Sequence, residues 1–256
     1  MPPEPLDTDN FAVIIPARFQ SSRFPGKPLI DIAGMSLIER VWRQCTRAVP
    51  ADRIIVATDD QRIYDHCADL GAQVEMTSSS CLTGTDRVQQ TVAQRGLTWA
   101  INVQGDEPFV RPNDILAVRD AFLRRGGTSV INAMAPISNE EEWYSRAVPK
   151  LVFDQDERLL YASRSPIPGN KDMLFLKAWK QVCIYAFSSA HLDRFVTNGG
   201  KTYFETLEDI EILRFVEQAI PVQMVRVESG TIAVDFPEDA DRATAMVRRL
   251  TTLDAP

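Results

Sequence analysis

Three cations follow one apolar run in quick succession. Ala12-Val13-Ile14-Ile15 is short and rich in β-branched residues, stops at Pro16, and gives way to a polar loop carrying Arg18, Arg23 and Lys27. A run of this kind marks a buried parallel strand, and open α/β sheets bind ligands beyond the carboxyl ends of their strands. Guanidinium and ammonium groups placed there suit a polyanion, with a nucleoside triphosphate the obvious candidate. The plainer alternative is a solvated βα loop. A second apolar run, Trp99-Ala100-Ile101-Asn102-Val103, delivers Gln104, Asp106 and Glu107 to the same edge. A carboxylate opposite a cationic loop suits a magnesium ion bridging phosphate oxygens. A third run, Thr231-Ile232-Ala233-Val234-Asp235, reads as a strand ending in Asp235, with Pro237 at the first position of a helix. If Asp235 and Asp106 point into one crevice, the pair can clamp one or two magnesium ions.

The elements that must position these groups can be read in order. Ser36 with Glu39 three residues on forms a capping-box pattern, and Leu37, Ile38, Val41 and Trp42 stripe the helix that follows. Residues 53–60 form a buried strand, with Asp59 or Asp60 capping a helix that stops at Gly71. Residues 73–76 are a short strand. The order β-loop-α-β-α-β is a nucleotide-binding arrangement of right-handed crossovers.

The hydroxyl-rich loop from Thr77 to Arg87 then leads into another helix. Backbone N–H groups of Gly84 and Thr85 can meet a ribose or a base edge, or belong to a simple turn capped by Thr85 or Asp86. No lysine follows Gly84, so this is not a Walker A loop. Residues 147–154 and 158–164 alternate in polarity and read as an antiparallel hairpin. Residues 169–179 read as a loop, and 179–187 as a strand returning to the main sheet. Residues 205–214 read as one helix, with apolar positions at Leu207, Ile210 and Leu213 and with Glu208 and Glu211 sharing a face. That acidic face is either solvated or grips substrate hydroxyls.

The chain has 256 residues, enough for one large α/β domain with a small appended lobe. Residues 1–10 are expected to be disordered, with a single domain over 11–256 and the inserted lobe at about 147–205. A net charge of −7 excludes general attraction to nucleic acid or membrane surfaces. Two histidines and four scattered cysteines argue against a zinc site and fit reduced thiols in the cytoplasm. No apolar run approaches the ~20 residues of a membrane helix. Without G-x-G-x-x-G after the first strand, a dinucleotide oxidoreductase is disfavoured. A sugar-1-phosphate nucleotidyltransferase would carry a more glycine-rich opening loop, since only Gly26 occurs here. A non-catalytic nucleotide sensor would have no use for both Asp106 and Asp235.

Together these segments resemble the cytidylyltransferases that activate 3-deoxy-manno-octulosonate (Kdo). The likeness rests on Ile15-Pro16-Ala17-Arg18 with Ser22-Arg23-Phe24-Pro25-Gly26-Lys27-Pro28-Leu29, Thr83-Gly84-Thr85-Asp86-Arg87 and Asn102-Val103-Gln104-Gly105-Asp106-Glu107-Pro108. It extends through Tyr161-Ala162-Ser163-Arg164, Leu207-Glu208, Ile210-Glu211 and Val234-Asp235. The resemblance implies a Rossmann-like nucleotidyltransferase fold, CTP and magnesium, a homodimer held partly by the inserted lobe, and a place in lipopolysaccharide biosynthesis. It assigns Arg18, Lys27 and, more weakly, Arg23 to the triphosphate, and Ala17, Thr77, Gly84 and Thr85 to the cytidine. Asp106 and Asp235 hold the metal; Gln104, Arg164, Glu208 and Glu211 belong to the acceptor side. Gln181 stands where the family usually has a histidine that touches the sugar acid, and the run after it is altered to Cys183-Ile184-Tyr185-Ala186.

Overall fold

The central strand β1 (Phe11–Ala17) alternates its side chains between two cores. Val13, Ile15 and Ala17 enter one, Ala12 and Ile14 the other. Each fully buried aliphatic side chain of this size contributes ~1.5–3 kcal/mol, so both faces of the strand must be covered. The computed structural model describes residues 6–20, 24–197, 199–228 and 233–253.

After β1 come a small hairpin, β2 (Asp31–Ile32) and β3 (Met35–Ser36), then α1 (Leu37–Thr46), β4 (Ile54–Thr58), α2 (Gln61–Asp69) and β5 (Gln73–Met76). The next elements are α3 (Gly84–Arg95), β6 (Trp99–Val103), α4 (Pro112–Arg124), β7 (Val130–Pro136) and α5 (Glu140–Tyr144). The lobe hairpin is β8 (Lys150–Phe153) and β9 (Leu159–Ser163), followed by β10 (Trp179–Ser188) and α6 (Ser189–Val196). The chain closes with α7 (Tyr203–Glu208), α8 (Ile212–Glu217), β11 (Val222–Arg226) and α9 (Pro237–Leu253).

The main sheet has the order β11-β7-β10-β6-β1-β4-β5. Along this path, β10 alone runs against its neighbours. Helices α1, α2 and α4 cover one face; α3, α6 and α8 cover the other. This is an α/β architecture with a mixed, mostly parallel sheet and helices on both faces, as the sequence led one to expect. The lobe hairpin is stitched to the sheet, with Leu151 opposite Trp179 and Lys150 opposite Lys180. Ser36 and Asp60 cap α1 and α2 as their types require.

Four local expectations change. Residues 6–10 of the expected disordered leader are held in place. Leu6 packs on the core, Thr98 donates to the Asp7 carbonyl at 2.8 Å, and Asn10 donates to the Gly96 carbonyl at 2.9 Å. Residues 1–5 lie outside the described residues. The cap of α3 is Thr83 rather than Thr85 or Asp86, and Asp86 completes a capping box with it.

The strand expected at 231–235 is not seen in its described part. Residues 233–235 are irregular, and Thr231 and Ile232 lie outside the described residues. The single helix expected over 205–214 is two, broken at Asp209 with φ 51°. A left-handed residue costs about 1 kcal/mol and is tolerated best by Asp or Asn. Burial of Ile210, Ile212 and Leu213 against the sheet, at about 2 kcal/mol each, outweighs it.

Candidate active site

The cationic loop folds back on itself. Gly26 adopts φ +73°, and its N–H donates to the Phe19 carbonyl at 2.9 Å. A Cβ there would lie 3.1 Å from the Phe19 ring, so glycine answers both constraints. The turn that follows, Lys27–Leu29, returns Lys27 to the sheet edge. Its ammonium donates to Asp106 Oδ2 at 2.9 Å and to Asp235 Oδ1 at 3.3 Å. Burial works against that charge, but the two carboxylates outweigh it and hold the lysine above its ordinary pKa. Arg18, directly after β1, is exposed. Ser21, Ser22 and Arg23 lie outside the described residues.

Two close approaches bring the aspartates together. At Gly105 an added Cβ would sit 2.8 Å from the Pro16 carbonyl oxygen, so the ends of β1 and β6 meet only over a glycine. The Asp106 carbonyl then accepts the Val234 N–H at 2.9 Å, laying the approach to Asp235 alongside Asp106. Asp239 accepts the N–H groups of Asp235 and Phe236 at 2.9 and 2.8 Å, which fixes the turn into α9.

Asp106 and Asp235 fit a hard divalent cation. Both are oxygen donors, and the Lys27 ammonium already stands between them as a stand-in cation. Among the described residues no cluster of three or more His, Cys, Asp or Glu could hold a metal. An all-protein cage is therefore not offered. Magnesium is commonly held by one or two carboxylates, with substrate phosphates and water supplying the rest.

On the nucleotide side, Ala17 is buried beside this edge. Thr77 gives both its N–H, at 2.8 Å, and its hydroxyl, at 3.0 Å, to the Thr58 carbonyl. The same hydroxyl accepts from Arg87, itself buried and paired with Asp59 at 3.0 Å. The Thr77 side chain is thus engaged within the protein. Gln104 lies over Gly84: an added Cβ would be 3.0 Å from its amide nitrogen.

The expected acidic pair on the acceptor side divides. Glu208 accepts from Ser163 Oγ at 2.7 Å, Arg164 N–H at 2.9 Å and Tyr161 OH at 3.2 Å. Burial would raise its pKa, but these donors outweigh it and keep the carboxyl below its ordinary range. The Arg164 guanidinium donates to the carbonyls of Glu208, Asp209 and Arg146 at 2.6, 2.8 and 2.9 Å, so it caps the end of α7. Glu211 turns the other way. It accepts the N–H groups of Gly84 and Thr85 at 3.2 and 2.9 Å and the Thr85 hydroxyl at 2.6 Å. The break at Asp209 is what separates the two carboxylates, so they share no face.

The architecture is that of a known group. A cytidylyltransferase family model matches residues 12–226. The chain belongs to the cytidylyltransferase family. It is 37% identical over 241 residues to the 3-deoxy-manno-octulosonate cytidylyltransferase of Desulfosudis oleivorans, covering 92% of this chain and 96% of that one. The Chlamydia pneumoniae enzyme of the same name is 36% identical, covering 88% and 89%. Among solved structures, CMP:2-keto-3-deoxy-manno-octonic acid synthetase complexed with CTP superposes with a TM-score of 0.86 at 30% identity, over 94% of this chain and 100% of that one. The 4-diphosphocytidyl-2C-methyl-D-erythritol synthase of Anaerococcus prevotii, with a TM-score of 0.63 at 17% identity over 95% of this chain and 100% of that one, shares the fold.

Within this cytidylyltransferase, the residues read from sequence separate into groups. Lys27, Asp106 and Asp235 meet; Gln104, Gly84, Thr85 and Glu211 meet. Gln181 reaches inward, its amide nitrogen 3.0 Å from Asn132 Oδ1, while Asn132 Nδ2 donates to the carbonyls of Val182 and Ile184 across a β-bulge. Two residues escaped the sequence reading. Cys183 is partly buried close to the acidic centre; desolvation first, then Glu107 and Asp106, pushes its thiol well above the ordinary value. Its only signal was the altered run after Gln181. Arg214 is buried between Glu205 and Asp86; its signal was its place three residues after Glu211.

Proposed function

We propose that this chain is a CTP:3-deoxy-manno-octulosonate cytidylyltransferase, joining CMP to Kdo and releasing pyrophosphate. The observation that carries this reading is the meeting of Asp106 and Asp235 at the Lys27 ammonium, at the carboxyl edge of β1 and β6. The enzymes it is similar to bear that activity in their names.

In this reading an acceptor oxygen attacks the α-phosphorus of CTP in line, and pyrophosphate leaves. Positioning and charge neutralisation are the protein's part. Lys27 and Arg18 offset the charge that grows on pyrophosphate, with Arg23 in the same loop. Asp106 and Asp235 would hold magnesium, which supplies charge neutralisation at the phosphate oxygens when bound. Gln104 and Glu211 face the acceptor, with Gln181 and Cys183 on the strand beside them. Thr77, Gly84 and Thr85 shape the cytidine side, and Arg164 and Glu208 hold the lobe against α7.

Exposed Leu160, Tyr203, Phe204 and Leu207, on the lobe and the helix beside it, support a homodimer through this face. The four free cysteines support a cytoplasmic enzyme, serving lipopolysaccharide assembly. Among the described residues no helix is long and apolar enough to cross a membrane.

The test is pyrophosphate release with each of four nucleoside triphosphates, magnesium and a panel of sugar acids, with adducts identified by mass. CTP with Kdo should give a CMP adduct. Turnover confined to another nucleotide, or no adduct with any sugar acid, overturns the reading. Gln181 and Cys183 favour one second reading, the same chemistry on a variant of that acid, so the panel includes amino-sugar analogues.

A further inference from the structure

The first turn of α3 is capped from two directions. Thr83, its N-cap, serves the Asp86 N–H, whereas the N–H groups of Gly84 and Thr85 are served by Glu211, 127 and 126 residues away. The opening N–H groups of a helix have no partner within it, so Glu211 is their protection from solvent. One turn along from Glu211, Arg214 is 1% exposed. Its Nε and Nη2 fork onto Glu205 at 2.6 Å each, and its Nη1 donates to Asp86 Oδ1 at 3.0 Å. The guanidinium also lies 3.7 Å from the centre of the Phe195 ring. Asp86 is the residue that closes the capping box of α3, and Glu205 closes the one at the start of α7. One buried cation therefore ties the starts of both helices to α8.

We infer that Arg214 is a positioning residue: it holds α8 against α3 so that the Glu211 carboxylate stays seated on the Gly84–Thr85 amides. Because Gly84 also packs under Gln104, this joint sets the acceptor-facing carboxylate relative to the nucleotide loop. The functional half of the inference rests on the acceptor reading above; the structural half does not.

Arg214→Lys keeps the charge but cannot fork across two carboxylates. In the full-length protein without ligand, the amides of Gly84 and Thr85 should exchange with deuterium at least tenfold faster, while those of β6 keep wild-type protection. In steady-state pyrophosphate release, KM for Kdo should rise at least fivefold while KM for CTP stays within twofold. Unchanged protection at Gly84 and Thr85 overturns the assignment. So does equal loosening of β6, which marks general destabilisation, or a fall in kcat with both KM values unchanged. Glu205→Gln keeps the shape and removes one charge; it should show the same pattern more weakly, and it decides the matter if Arg214→Lys does not fold. A wild-type protein that does not turn over Kdo removes the acceptor assignment alone, and the exchange measurement still judges Arg214.

Discussion

Two clusters in this molecule have the same stoichiometry, two carboxylates around one cation, and opposite surroundings. At the sheet edge Lys27 meets Asp106 and Asp235, with the lysine side chain 14% and both aspartates 27% exposed. At the α3–α8 joint Arg214 meets Glu205 and Asp86, with the arginine 1% and Glu205 0% exposed. In the buried cluster the remaining carboxylate capacity is filled by the N–H groups of Thr83 and Thr202. That cluster is bonded to rigidity. In the edge cluster solvent reaches the carboxylates, so a divalent cation can take the place of the ammonium beside them and leave the ammonium open to a phosphate. Burial and the supply of backbone donors, rather than charge count, separate a closed structural ion cluster from one left open to exchange.

The sharpest way to break that comparison is Asp106→Asn. Turnover should fall about a thousandfold, since several kcal/mol of charge stabilisation is removed. The melting temperature should stay within about 5 °C, as expected of a partly exposed pair. Near-normal turnover in a pyrophosphate-release assay would count against the edge cluster. Arg214→Met should do the reverse. It strands two carboxylates and should cost about 3–5 kcal/mol of stability by denaturant unfolding; a cost under about 1 kcal/mol would make the joint ordinary surface electrostatics.

Gly105→Ala tests how the edge cluster is assembled. A methyl group 2.8 Å from the Pro16 oxygen must push β6 from β1, at about 1–3 kcal/mol, with turnover falling alongside stability. The smallest effect concerns α6, which supplies Phe195 to the joint. Burial first, then Arg194, lowers the pKa of His191 to about 4. The folded state therefore binds fewer protons than the unfolded one between pH 6.5 and 4. Stability from this residue is present above pH 6.5 and is lost as the pH falls toward 4. Between pH 6.5 and 5 the loss should be about 2 kcal/mol, and His191→Gln should flatten that slope in denaturant titrations.

Much of the fold was legible because it is written locally. The β-branched run at β1, the caps Ser36 and Asp60, and the alternation of β8 and β9 each depend on neighbours a few residues away. The cap of α3 was misplaced by two or three residues because Thr83, Thr85 and Asp86 all have capping side chains, and the capping box with Asp86 is what selects Thr83. The helix break at Asp209 was hidden because its helical periodicity is intact in the sequence; the sheet beneath supplies the burial that pays for the left-handed turn. That break then sends Glu208 to the lobe and Glu211 to α3.

By itself the sequence determined the identities that make the chemistry possible: cations after one strand, an aspartate after another, and a glycine between strand and aspartate. Only the tertiary structure decided that Asp235 lies beside a lysine 208 positions earlier, and that the amides of Gly84 and Thr85 are met by Glu211. Contacts of that span depend on how the crossovers stack and how closely strand ends approach, neither of which any window of neighbouring residues encodes.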